Sequence, residues 1–435
     1  MGRVRSFLHE YRPSVVTGGE TIVPLLILAG LNAADELDRS AFALLIPEIR
    51  DYFGVSIGTI LTVTSMAAVL PILLAIPIGY FADRMPRTKM TGVGAAMWGV
   101  FSILTAFAGS LTFLGIFRFG SGLGKTMEPA HLALLSDYYP PERRPGVFAV
   151  HRFGNEIGLM VAPLVAGILA TAFFWQVPFL IFGVPSLILS VLVFVLLREP
   201  VRGAQERRSL GVEDDADFVP EPPPGWTESW RITRSVRTLR RVYMALPFLV
   251  GSSLGILALL SVYYDEVFHL SGATRGILAS VDRVFGIAGL VVGGVLGNRL
   301  LVRRPGRAIT YAAAMAVVPA AAFLVIASTP WLAVAVAASA VSSFVLPILG
   351  PTLGALMSLT IPPRVRGFAL ATGGLFIAPG LFVGPLSGYL SDHYGVRAGI
   401  LVLVPVFLIG AAIFGSAASS VEADMRAAWA AAVAA

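Results

Sequence analysis

Apolar runs close to the length that crosses a membrane recur along this chain, at 22–46, 57–81, 90–109, 112–135, 147–172, 176–197, 242–264, 274–298, 308–328, 331–357, 366–390 and 397–417. A hydrocarbon core about 30 Å thick is spanned by about 20 helical residues. Inside it no backbone group meets water, so a chain crosses only as helices or as a closed barrel. Barrel strands would read as alternating segments of about ten residues, whereas these runs are longer and apolar throughout. Charged residues make up 13% of the chain, against about a quarter in soluble domains. The expected fold is an all-α membrane protein with twelve transmembrane helices. The 45 glycines and 29 prolines suit it, because neighbouring helices in lipid re-satisfy freed backbone groups and small residues let helices pack closely.

Several function classes are excluded early. "GSGLGKTMEP" (120–129) ends like a phosphate-binding loop, but Phe119 stands where such a loop needs its first glycine. Both flanks also read as helix rather than as strand and helix. Cysteine is absent, no histidine pair has metal-ligand spacing, and no serine sits in a nucleophile elbow. An enzyme, a metal site and a cofactor are therefore not expected. The net charge of +6 is spread over short connections, which points to a membrane surface rather than to nucleic acid.

Basic residues concentrate in alternate connections: Arg3, Arg5 and Arg12; Arg84, Arg87 and Lys89; Arg143 and Arg144; Arg299, Arg303, Arg304 and Arg307; Arg364 and Arg366. The positive-inside rule then places both termini in the cytoplasm, in the inner membrane of a cell. The opening residues lack a small-residue cleavage site, so the first span is expected to stay as an anchor.

Residues 198–241 break the apolar pattern. Their first part reads as a polar, proline-rich connector. In the second part Trp226 and Trp230 precede Arg231, Arg234, Arg237, Arg240 and Arg241, spaced as on one side of a helix. A basic amphipathic helix on the anionic inner leaflet is one expectation there, and a positive-inside anchor with no further role is the other. On either side the halves correspond: "SDYYPPERRPG" (136–146) matches "SLTIPPRVRGF" (358–368) at an offset of 222 residues, and Pro129 and Pro163 match Pro351 and Pro385. The expected organisation is a six-helix bundle at 1–197, the linker at 198–241, a second six-helix bundle at 242–417 and a cytoplasmic tail at 418–435. Parallel repeats of this kind enclose a central cavity.

"GYFADRMPRTK" (79–89) resembles the loop signature of the major facilitator superfamily, and the six-plus-six layout extends that resemblance over nearly the whole chain. It implies alternating access and a cytoplasmic latch built from Gly79, Asp83, Arg84, Arg87 and Lys89, with Asp137 and Arg144 beside them. Asn298 replaces the aspartate in the second half, so a weaker latch is expected there.

Charges within spans are costly, about 2.5–3.5 kcal/mol each at mid-bilayer, so they pair or line a cavity. Proton coupling is expected from Asp38 first, then Glu128, Glu156 and Asp35. Substrate contacts are expected from Arg39, Arg118, Lys125, Arg152, Asp282 and Arg283. Antiparallel spans put Lys125 level with Glu156, Glu128 level with Arg152, and Asp38 level with Arg118. His131 and His151 fall near span ends, where solvation is expected. Aromatics in the spans, Phe42 among them, are expected to line the cavity or, taken singly, to serve helix packing.

"DRSAFALLIPEI" (38–49) and "RFGSGLGK" (118–125) resemble the spinster branch of the superfamily, which implies proton-coupled export of a lysophospholipid-like amphiphile. Lys125 departs from that branch's glutamate, for which Glu128 is a substitute one turn on. "GNEIGLMVAPLVAG" (154–167) is similar to the helix-five signature of drug–proton antiporters, and "GLFVGPLSG" (380–388) repeats it. Close helix packing accounts for both copies. Two alternatives therefore stand beside lipid export: multidrug–proton antiport and organic-anion symport. The expected partners are membrane lipid, an amphiphilic small molecule and protons, for a monomeric protein.

Overall fold

The structure, a computed structural model, describes residues 17–82, 85–125, 129–140, 143–200, 225–303, 305–348, 357, 360–361 and 365–433, and no strand occurs among them. The first half holds α1 (Val23–Leu44), α2 (Ile46–Phe53), α3 (Ile57–Ala82), α4 (Arg87–Ala106), α5 (Leu111–Lys125), α6 (Pro129–Tyr138), α7 (Arg144–Ala172) and α8 (Val177–Leu196). The second holds α9 (Trp226–Ser235), α10 (Arg237–Phe268), α11 (Gly272–Arg303), α12 (Pro305–Met315), α13 (Val317–Ser328) and α14 (Leu332–Val345). It continues with α15 (Arg366–Leu375), α16 (Val383–Tyr394), α17 (Val396–Leu401), α18 (Leu403–Ser416) and α19 (Val421–Val433). Among the described residues, seven helical stretches are long and apolar enough to cross a membrane. The long helix α1 is not one of them, because Asp35, Glu36, Asp38 and Arg39 interrupt its apolar run.

The chain divides into two compact units. The first comprises Met1–Phe42 and Leu70–Pro220. Its core gathers Leu25, Leu28, Leu134, Leu135 and Val147 from α1, α6 and α7, with Tyr139 just beyond α6. Here α7 lies directly on α1: a Cβ at Gly154 or Gly158 would sit 2.3 Å from the carbonyl oxygens of Ala29 and Ala33 respectively. Only glycine permits that approach, so the "GNEIG" stretch acts as a packing seam.

The second unit comprises Ala43–Val69 and Glu221–Ala435. Residues 43–69, the end of the first predicted span and half of the second, thus pack with the second half of the sequence. Asp392 accepts hydrogen bonds from the backbone N–H groups of Ile57 and Gly58, both at 2.9 Å, and so satisfies the start of α3. The other copy of the glycine pattern is again a close contact, since a Cβ at Gly380 would stand 2.3 Å from the Pro247 carbonyl oxygen. The segment after residue 417 carries helix α19, anchored by fully buried Val421 in a core with Leu239, Ile309 and Phe414. Asp424 of α19 accepts from the Thr238 N–H at 2.6 Å.

Candidate functional site

In the first unit Asp38 lies in the second half of α1 and is fully buried. Arg118 of α5 donates from Nη1 to Asp38 Oδ2 at 2.6 Å, and Ser102 of α4 donates from Oγ to Asp38 Oδ1, also at 2.6 Å. The level placement of Asp38 and Arg118 is thus a direct ion pair. Phe42, one turn beyond Asp38 and so on the same helix face, lies beneath the guanidinium, 4.7 Å from its carbon to the ring centroid. Phe179 of α8 meets Phe42 edge-on, with ring centroids 6.1 Å apart. Phe42 therefore does more than pack helices: its ring face stabilises the arginine where water is scarce.

The other charges of this unit divide unevenly. Arg39 pairs with Glu36 on its own helix at 2.9 Å; the arginine side chain is half exposed and the glutamate buried. Asp35 is half-buried on the same helix. On α7, buried Glu156 has Arg152, which is mostly exposed, 3.8 Å away. Lys125 closes α5, but its side chain, like the whole of Glu128, lies outside the described residues.

The histidines are not solvated, contrary to expectation. His131 and His151 are both buried, with rings edge to face at 5.8 Å between centroids. Buried Asn32 of α1 donates from Nδ2 to the His151 carbonyl oxygen at 3.0 Å. Position along their helices placed these imidazoles near the ends, but the face it occupies turns His151 onto α1, and His131 lies against the His151 ring rather than in water.

At the predicted latch Arg87 pairs with Asp137. Arg144 donates to the carbonyl oxygen of Ser136 at 2.7 Å, closing the turn between α6 and α7. Lys89 is exposed, Gly79 lies within α3, and Asp83 and Arg84 are outside the described residues. A residue missing from the expected set completes the contact. Glu199, read from sequence as part of the connector, accepts from the N–H groups of Arg87 and Thr88 at 2.8 and 2.9 Å. Its carboxylate thus caps the start of α4, where the helix dipole favours negative charge.

In the second unit Asp282 is buried on α11 and accepts from the Ser339 hydroxyl of α14, while Arg283 is half-buried beside it. A further ionic cluster was not anticipated from sequence. Buried Arg275, in the first turn of α11, donates to Glu48 of α2 and to Ser261 Oγ at 2.8 Å, and lies 3.7 Å from Asp265. Arg50 of α2 pairs with Glu266 and donates to Asp51 at 2.9 Å. Burial pushes the Glu48 carboxyl above its ordinary value, and Arg275 opposes this less strongly. The only sequence signal was the acidic residue after Pro47, which follows a break in the helix at Leu45.

The model of the Major Facilitator Superfamily matches residues 28–385, spanning the core of both units. The chain belongs to this superfamily. It is an integral, multi-pass membrane transporter of small molecules and not an enzyme. A probable L-galactonate transporter of Escherichia coli (strain K12) is 24% identical over 287 residues, 64% of this chain but only 61% of the relative's length. A probable sulfoacetate transporter of Cupriavidus necator is 28% identical over 377 residues, 82% of this chain and 84% of that one. Among solved structures, the crystal structure of a bacterial homologue of the human lysosomal transporter Spinster, inward-facing and unoccupied, superposes with a TM-score of 0.79. It covers 92% of this transporter and 97% of its own chain at 18% identity, a likeness of fold.

Proposed function

We propose that this transporter is a proton-coupled symporter of small organic anions, working by alternating access with both termini in the cytoplasm. The observation that carries the reading is the buried Asp38–Arg118 pair. In the reading, Arg118 serves one carboxylate at a time. When an incoming anion takes the guanidinium, Asp38 is left in surroundings that solvate its charge poorly, and it takes up a proton. Anion and proton then bind together, which is the condition for coupled symport. Ser102 can stay bonded to Asp38 in both states, donating to the carboxylate and accepting from the acid. Two relatives whose printed cargoes are a sugar acid and a sulfonated acid support an anionic substrate.

The spinster-like "DRSAFALLIPEI" and "RFGSGLGK" stretches support a second reading, export of a lysophospholipid whose phosphate would meet Arg118. Purified transporter in proteoliposomes separates the two. Labelled hexuronate, labelled lysophospholipid and a cationic dye are each followed with and without an imposed pH gradient. The first reading expects gradient-driven hexuronate accumulation that Asp38→Asn abolishes while hexuronate exchange survives. Gradient-driven lipid movement without hexuronate movement would establish the second, and dye movement alone would indicate drug–proton antiport.

A further inference from the structure

The predicted basic helix forms, but not as one helix. Val236, extended at φ −73° and ψ 108°, separates α9 from α10. Helix α9 buries its small polar side, Ser229 and Thr233, against the second unit. It turns Trp226 and Trp230 outward, at 60% and 39% exposure. Ordinary core packing would bury the tryptophans and expose the serine and threonine. Trp226 keeps one edge contact, with the ring of Phe368 at 4.8 Å. Arg234 follows Trp230 on the same face, and Arg231 lies alongside, 80% exposed and 4.0 Å from Glu228.

The row continues past the break. Arg237, Arg240 and Met244 occupy one face of α10, all exposed. Exposure therefore changes from guanidinium to thioether within about one turn of an apolar, membrane-length helix, the change of chemistry that a membrane boundary near Arg240 calls for. Arg241 is used internally, donating to Ser419 Oγ at 2.6 Å. Arg234, Arg237 and Arg240 have no acidic partner among the described residues. The start of α10 is already satisfied by Asp424, so an anion here would answer to side-chain charge, not to a helix terminus.

We propose that the α9–α10 corner is a docking surface for anionic phospholipid headgroups of the adjoining leaflet. Arg231, Arg234, Arg237 and Arg240 supply the charge, and Trp226 and Trp230 lie at headgroup level. Charge complementarity selects this occupant: exposed arginines, Arg234, Arg237 and Arg240 without an acidic partner among the described residues, flanked by outward tryptophans, match an anionic interface. The surface acts whatever the cargo, so it stands apart from the transport reading.

Full-length transporter is reconstituted in vesicles that mix phosphatidylcholine and phosphatidylglycerol at fixed ratio, with either lipid brominated in turn. Quenching of Trp226 and Trp230 is isolated by difference from a Trp226→Phe/Trp230→Phe variant. The expected result is several-fold stronger quenching by brominated phosphatidylglycerol, declining as salt screens the charges. Replacing the four arginines by glutamine abolishes the preference, and replacing them by lysine keeps it. Equal quenching by the two lipids in the wild type would overturn the proposal, as would a preference that the glutamine variant retains. Should the glutamine variant fail to fold, the salt titration of the wild type decides alone: a preference unmoved by salt overturns the proposal.

Discussion

Asn32 Nδ2 donates to the backbone carbonyl oxygen of His151 across 3.0 Å and lies 3.4 Å from that residue's Nδ1. A carbonyl oxygen only accepts, so the amide orientation is set, with its NH₂ beside Nδ1. In a neutral imidazole a proton on Nε2 lets Nδ1 accept from that NH₂, whereas a proton on Nδ1 would set two donors face to face. Nitrogen NMR of histidine-labelled transporter is expected to show the Nε2–H tautomer for His151. In Asn32→Ala that preference is lost, with a stability loss of about 1 kcal/mol. An Nδ1–H signal in the wild type would contradict the assignment.

Breaking the Asp38–Arg118 pair costs more than removing it. Arg118→Gln leaves a fully buried carboxylate without its cation, a loss of about 3–5 kcal/mol. The double variant Asp38→Asn/Arg118→Gln removes both charges and is expected to recover most of that loss. Thermal unfolding in detergent compares the three proteins. A double variant no more stable than Arg118→Gln would show that the two side chains are not coupled.

Glu199 holds the start of α4 through two backbone N–H groups and the Thr88 hydroxyl. Glu199→Ala removes this cap and is expected to destabilise the protein by about 0.5–2 kcal/mol. Glu199→Gln, which keeps an acceptor but loses the charge, should fall between. An unchanged unfolding temperature in Glu199→Ala would remove Glu199 from this role.

What the sequence made legible follows from what a helix pattern encodes. Antiparallel direction and distance from a span end were enough to set Asp38 level with Arg118, because depth is linear in residue number. The same reasoning failed for His131 and His151, whose solvation depends on which neighbour their helix face meets, and no period reports that. Glu199 was hidden by composition: it adjoins a polar segment yet serves the folded unit before it. The break at Val236 was likewise invisible, since the arginine spacing runs through it without interruption. Glu48 and Arg275 are far apart in sequence, and their meeting depends on residues 43–69 packing with the second unit.

That meeting has a pH signature. Burial raises the Glu48 carboxyl pKa above its ordinary value, and its side chain is only 26% exposed. A carboxyl raised in the folded protein holds its proton more tightly there than in the unfolded chain. Its stabilising contribution is complete below the unfolded value and is lost as pH rises through the folded one. Glu48→Gln removes this dependence and leaves a neutral amide facing Arg275 at every pH. The unfolding temperature of the variant minus that of the wild type is therefore expected to rise with pH, from mildly acidic buffer toward neutrality. Asp265, 3.7 Å from Arg275, remains to hold the guanidinium in the variant and limits the constant part of the loss. A difference that stays flat across that range would mean that Glu48 titrates alike in the folded and unfolded chains; one that falls would mean that Arg275, rather than burial, governs the carboxyl.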